Sequence, residues 1–227
     1  MSPLIPRDYL ERSPLHALHT DAALTASGGK LFVERYSQNT RQPECGLVDL
    51  ANLHRVGFRG AHAAHYLASH GFKLPSVPNT AVRQPGGEWV ARLSQTEYFL
   101  LGTLEDGGAR LEQLEAGSQP NQQACYCLPR QDSHTCLALY GPSISEIMSK
   151  LCGVDLRQSA FGPGSVVQTS VARINGIIIN ASIDGTPCFH LLFDRASAHY
   201  LWHALLDAMQ EFGGAVAGIK DLPPMIS

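Results

Sequence analysis

One short pattern occurs twice along this chain of 227 residues, and few folds accommodate such a duplication. The first copy begins with Val56-Gly57-Phe58-Arg59-Gly60, an alternating strand that closes on glycine. Residues 61–70 follow as a helix with an apolar stripe through Ala64 and Leu67, then Gly71-Phe72-Lys73-Leu74 leads out. The second copy runs Leu137-Ala138-Leu139-Tyr140-Gly141, a helix over 142–151, and Gly153-Val154-Asp155-Leu156. Each reads as strand, glycine turn, helix, glycine cap and extended exit. Pro142 falls at the first helical position, where its missing N–H costs nothing.

The parallel continues downstream. Residues 89–93 and 98–101 read as paired strands across the turn Ser94-Gln95-Thr96-Glu97, and residues 104–114 have helical spacing. In the second copy, residues 174–181 and 188–193 are strands around Asp184-Gly185-Thr186. Residues 195–212 form the clearest helix, with Ala198, Leu201, Trp202, Leu205 and Met209 on one face and Gly213-Gly214 ending it. Each half is β-α-β-β-α, close to the ferredoxin-like split βαβ unit. The expectation is an α+β protein with mainly antiparallel sheets. The halves span 13–116 and 124–214, the polar stretch 117–123 is the seam, and 1–12 and 215–227 are terminal arms.

Charge narrows the partners. Lys+Arg (17) does not exceed Asp+Glu (20), net charge is -3, and no basic run occurs, so a nucleic-acid footprint is missing. Charged residues make up 16% against about 25% in typical domains, which points to a surface partly covered by something else. The longest apolar run, Ile177-Ile178-Ile179, is too short to span a bilayer, and residues 1–18 contain no signal-peptide pattern. Six scattered cysteines read as reduced thiols rather than a disulfide scaffold, so a cytoplasmic location is expected.

Motifs for chemistry are sparse. Cys125-x-Cys127 with His134 has a one-residue gap and lacks a second ligand pair, so no metal is expected, and Cys125-Tyr126-Cys127-Leu128 reads as a buried strand. His62, His65 and His70 do not build a His-x3-His pair, and Cys152 sits at a helix end without a nucleophile signature. Neither a dinucleotide fingerprint nor a phosphate loop is present, so no cofactor is expected in this chain. Arg130, Asp132 and His134, clustered before the second copy, are candidates for a loop or an interface; solvated turn residues are the equal alternative.

Ser13-Pro14-Leu15-His16, followed by Cys45-Gly46-Leu47-Val48-Asp49-Leu50, resembles the opening of the glycine-cleavage T-protein family. The strand-Gly-helix unit over 56–67 matches that family's v-x-G-x-x-A-x-x-L pattern. Further stretches resemble the sarcosine oxidase gamma subunit family: Ala91-Arg92-Leu93-Ser94 with Glu97-Tyr98, residues 126–134, 150–157 and 167–173, and Tyr200-Leu201-Trp202 with Ala204-Leu205. The likeness covers residues 13–214 in order.

This resemblance implies the folate-binding domain fold of the T-protein. It also implies a non-catalytic subunit of a heterotetrameric sarcosine oxidase, which turns sarcosine into glycine with hydrogen peroxide and passes the one-carbon unit to tetrahydrofolate or formaldehyde. FAD, FMN, NAD and tetrahydrofolate are then expected in partner alpha, beta and small delta subunits, and the isolated chain is expected to be able to self-associate. The alternative is a stand-alone folate-dependent aminomethyltransferase or demethylase. Folate-binding candidates on that reading are Glu88, Asp49 and Arg92. The sequence departs from the family at Gly86-Gly87-Glu88-Trp89-Val90, where folate-active T-proteins carry an Asp; Glu88 is the nearby carboxylate. It also ends before the C-terminal barrel of full-length T-proteins.

Overall fold

The computed structural model describes residues 11–39, 41–118 and 124–222. It is an α+β fold of two large packed sheets, each covered on its outer face by two helices, with a separate two-stranded antiparallel sheet near the start of the chain. The first half supplies β1 (Ala22–Ser27), β2 (Lys30–Tyr36), β3 (Gly46–Asp49), β4 (Arg55–Arg59), α1 (Ala63–Ser69), β5 (Thr80–Arg83), β6 (Trp89–Arg92), β7 (Glu97–Leu101) and α2 (Ala109–Ala116). The second supplies β8 (Tyr126–Pro129), β9 (His134–Tyr140), α3 (Ile144–Ser149), β10 (Val166–Val171), β11 (Ile174–Asn180), β12 (Cys188–Asp194), α4 (Ala198–Met209) and β13 (Ala215–Ala217). No helix among the described residues is long and apolar enough to cross a membrane.

Side-chain alternation builds the layers. Val56 and Phe58 of β4, Val90 of β6, and Tyr98 and Leu100 of β7 pack with Ala63 and Leu67 of α1 and Leu111 and Leu114 of α2. The alternate residues, Trp89, Ala91, Phe99 and Leu101, face the other sheet and meet Cys136, Ala138, Tyr140, Ile177, Ile179 and Leu192. The opposite face of that sheet carries Leu137, Leu139, Phe189, Leu191 and Phe193 against α3 and α4. Period-two alternation in strands and period-3.6 spacing in helices therefore sort one sequence into four layers. Leu201, Trp202, Leu205 and Met209 of α4 are all buried, each contributing about 1.5–3 kcal/mol of apolar transfer.

The sheets do not follow the chain halves. The five-stranded sheet has the order β5-β6-β7-β4-β8 and the six-stranded sheet β10-β11-β12-β9-β3-β13. Strand β3 thus pairs antiparallel with β9 of the second half, and β8 crosses back to pair with β4 of the first. Only β13 runs parallel to its neighbour, β3, in these two sheets. Alternation specifies which face of a strand is buried but not which strand lies beside it, so the exchange is invisible in the residue pattern.

Three expectations need correction. Residues 215–222 are not a loose arm: Gly213, at φ 61°, reverses the chain after α4 and lays β13 along β3. Leu222 and Asp221 are buried, and the Asp221 carboxylate accepts the Gly218 N–H at 2.9 Å. Residues 1–10, 223–227 and 119–123, the bulk of the expected seam, lie outside the described residues. The stretch around Cys125 and Cys127 is not a fully buried strand either. β8 is a sheet edge, with Tyr126 58% exposed and Cys127 half-buried, although Cys125 is buried. Helix α2 begins at Ala109 rather than 104 because Gly107 and Gly108 take φ values of 63° and 83°, outside helical space.

Candidate functional site

Asp49 ends β3 and is only 5% exposed. Its carboxylate accepts the Ala51 N–H at 2.8 Å, the Ser13 hydroxyl, and lies 2.9 Å from His19 Nε2. On the far side of the ring, His19 Nδ1 meets the Tyr36 hydroxyl at 2.6 Å, and Trp202 packs edge-on with ring centroids 5.5 Å apart. Burial and the Asp49 charge push the Tyr36 phenol well above its usual range. The adjoining cavity, lined by Arg12, His16 and Asn52 among others, is about 20 Å³, the size of one water and far too small for a pterin. Asp49 works as a clamp on the segment over residues 13–19, whose Pro14 carbonyl also accepts from His199 at 2.8 Å.

Glu88 sits behind the β5–β6 turn at 2% exposure. One carboxylate oxygen takes Arg110 at 3.0 Å, and the other has no partner among the described residues. The Arg110 guanidinium in turn stacks on Phe72, 4.0 Å from the ring centroid. Arg92 is spent on backbone: it donates to the carbonyls of Ser76 at 2.6 Å, Gln95 at 3.0 Å and Ser94 at 3.3 Å. Asp49, Glu88 and Arg92 share no hydrogen-bond partner, each being held by a different part of the chain.

Arg130 and His134 do meet. Both line an open cleft of about 470 Å³ whose walls come from both sheets, with Glu97, Leu93, Gln168 and Asn175. Arg130 donates to Glu97 at 2.8 Å and packs closely against Gly57, where an added Cβ would stand 2.8 Å from its Nε. Arg59 adds a second guanidinium 3.8 Å from the same carboxylate. His134 packs edge-on to Phe99 and pairs with the Ser133 hydroxyl at 2.9 Å. Burial, then the Arg130 and Arg55 charges, push its pKa down to about 4, so the ring is neutral at physiological pH. Asp132 is exposed and does not line the cleft.

Glu97 is the residue that sequence reasoning missed here. Arg59 and Glu97 are directly opposite in the β4–β7 pairing, where opposite charges attract, but the residue pattern alone does not give that pairing. Chemically the cleft offers hydrogen-bonding groups, a neutral imidazole and a compensated ion pair. A hydroxyl or thiol nucleophile within reach of a base is what acyl or group transfer needs. The hydroxyl next to His134 is Ser133, itself exposed on the turn.

A buried polar residue without partners lies elsewhere. His190, in the middle of β12, is 1% exposed, and neither ring nitrogen has a partner among the described residues. Burial pushes its pKa down to about 4. No group of three His, Cys, Asp or Glu side chains among the described residues is arranged to hold a metal ion.

The profile of the GCVT N-terminal domain matches residues 88–222, more than half of the chain. The sarcosine oxidase subunit gamma of Arthrobacter sp. is 24% identical over 202 residues, covering 87% of this chain and 96% of that protein. The aminomethyltransferase of Acidobacterium capsulatum is 24% identical over 190 residues, 77% of this chain, which spans about half of that protein's length (49%). The heterotetrameric sarcosine oxidase from Corynebacterium sp. U-96 in complex with pyrrole 2-carboxylate contains a chain that superposes with a TM-score of 0.69 at 24% identity, covering 91% of this chain and 98% of that one. The glycine cleavage system aminomethyltransferase T from Bartonella henselae superposes with a TM-score of 0.67 at 16% identity over 93% of this chain and 60% of that one. The duplicated sandwich is thus the folate-binding fold of the T-protein, and this chain belongs to the GCVT N-terminal domain family.

Proposed function

We propose that this chain is a gamma-type subunit of a heterotetrameric sarcosine oxidase and carries no active site of its own. The observation that carries the reading is the match to gamma subunits: the Arthrobacter gamma subunit aligns over 96% of its length, and a chain of the heterotetrameric sarcosine oxidase superposes over 98% of its own with a TM-score of 0.69. The state of the carboxylates supports it. Asp49 is taken up by Ser13, His19 and the Ala51 N–H, Glu88 by Arg110, and Glu97 by Arg130.

On this reading the assembly demethylates sarcosine oxidatively to glycine, with hydrogen peroxide as product and the one-carbon unit leaving to tetrahydrofolate or as formaldehyde. FAD, FMN, NAD and tetrahydrofolate reside in the larger alpha and beta subunits and their small delta companion, in the cytoplasm. This chain's part is structural, as a rigid sandwich presented to its partners.

The second reading, a stand-alone folate-dependent aminomethyltransferase or demethylase, is favoured by one feature: the unpartnered oxygen of Glu88. Thermal melting with tetrahydrofolate separates the two, because a ligand that binds only the folded state raises the melting temperature with concentration. The subunit reading expects no shift at millimolar tetrahydrofolate. A saturable rise, abolished by Glu88→Gln, would establish the second reading.

A further inference from the structure

At one end of the six-stranded sheet, the turn after β9 and the β11–β12 turn enclose a cavity of about 160 Å³. Ile144, Leu156, Phe161 and Phe189 line it, the two phenylalanines meeting edge to face at 5.4 Å and 84°. The polar side chains of its inner wall are already engaged, whereas Gln158 and Asp184 stand exposed at its rim. Asn180 donates to the Phe161 carbonyl at 2.6 Å and accepts the Ser182 N–H at 3.0 Å, and the Ser145 hydroxyl donates to the Leu156 carbonyl at 3.0 Å. A buried water needs two to four partners, which the inner wall of Ile144, Leu156, Phe161 and Phe189 does not offer, and apolar cavities of roughly 150 Å³ stay dry and accept a single aromatic ring. The hole therefore suits one ring or one branched aliphatic group.

Its mouth does not end there. Pro142, Gly185 and Pro187 also line an open groove of about 520 Å³ that passes Tyr140 to Gln42, Pro43 and Glu44. Those last three residues border a further groove that reaches Arg41 and Gln38. A free single-ring molecule fills only the hole; an extended polypeptide fills hole and groove together. Charge indicates what that polypeptide carries. Glu44 and Asp184 are exposed and in no ion pair among the described residues, with Arg41 standing at the far end.

We infer that this groove docks an extended segment of a partner subunit, with a leucine- or phenylalanine-sized side chain in the hole and a lysine or arginine beside it facing Glu44 or Asp184. The inference rests on the subunit reading above and names the surface that reading needs. Interface energetics concentrate on anchors of this kind, seated in a pocket and ringed by polar groups.

Gln158 is exposed at the mouth, so changes there spare the core. The photo-crosslinking amino acid p-benzoylphenylalanine is placed at position 158 of the tagged chain, and the intact assembly is purified from the host, irradiated and mapped by mass spectrometry. The expected adduct lies on one segment of a larger subunit that carries an apolar residue next to a basic one. Gln158→Trp, which fills the mouth, is expected to weaken assembly about tenfold or more, and Gln158→Ala less than about twofold. If the assembly forms but the adduct lies on a second copy of this chain, or on no subunit, the groove inference is overturned while the subunit reading stands. If Gln158→Trp assembles normally, the groove inference is overturned in the same way. Recovery of the chain alone overturns the subunit reading and the groove inference together.

Discussion

Arg55 and His190 are both buried nitrogen bases in the interior strands of this molecule, and the two regions around them treat the same problem in opposite ways. Arg55, in β4, is fully buried but donates to four backbone carbonyls: His134 at 2.7 Å, Leu53 at 2.7 Å, Ala51 at 2.9 Å and Gln131 at 2.9 Å. Burial lowers its pKa to about 10, yet it stays charged at neutral pH and ties the β3–β4 loop to the loop before β9. His190, in β12, is given no acceptor and no donor among the described residues, and burial keeps it neutral. A buried base is tolerated either by satisfying its charge or by discharging it. The first solution stabilises this fold, and the second is a cost it carries.

Substitution at the staple gives the largest expected effect. Arg55→Met removes four hydrogen bonds and leaves carbonyls buried without donors, and is expected to destabilise by roughly 3–5 kcal/mol in urea denaturation. A loss below about 1 kcal/mol would mean that the loops around it are held by something else. Asp49→Ala strips the donors Ser13, His19 and the Ala51 N–H of their acceptor, with an expected cost of roughly 2–4 kcal/mol. It should also loosen residues 13–19 to hydrogen exchange before the sheets respond.

The opposite sign is expected at the second region. His190→Leu removes an unpartnered polar ring from an apolar core and should leave stability unchanged or raise it by about 1 kcal/mol. Acid titration sharpens the contrast. With its folded pKa near 4 against 6.5 unfolded, His190 binds no proton in the native state while the unfolded chain does, so stability is intact above pH 6.5 and falls as pH drops toward 4. His134 acts in the same direction. The slope attributable to each is at most about 1.4 kcal/mol per pH unit, and His190→Leu should flatten the part of the acid limb it causes. An unchanged limb would show that other groups dominate it. The smallest effect is expected at the cleft: Glu97→Gln, in a partly exposed pair with Arg130, should cost about 1 kcal/mol or less, readable in a double-mutant cycle with Arg130→Gln.

Much of the architecture was legible in the residues. The two copies of strand, glycine turn and helix, the β6–β7 and β11–β12 hairpins and the apolar face of α4 all follow from period and turn chemistry. Strand exchange between the sheets was not, because β3 and β8 carry no pattern that names their neighbours. The site was less legible still. Asp49, Glu88 and Arg92 have side chains suited to folate, but their chemistry is decided by what folding places beside them, namely His19, Arg110 and the carbonyls of residues 76, 94 and 95. His134 was visible as a loop residue, whereas its neutrality depends first on burial and then on the charges of Arg130, in the turn just before it, and Arg55, which arrives from β4.

The central claim is that this chain is a partner's subunit, and purification of the tagged chain from its host tests it most directly. Native mass spectrometry and a visible spectrum of the eluate are the readouts. The account predicts stoichiometric recovery with larger, yellow, flavin-bearing subunits that oxidise sarcosine. Recovery of the chain alone and colourless, at the mass of a monomer or of its own oligomer, would contradict it.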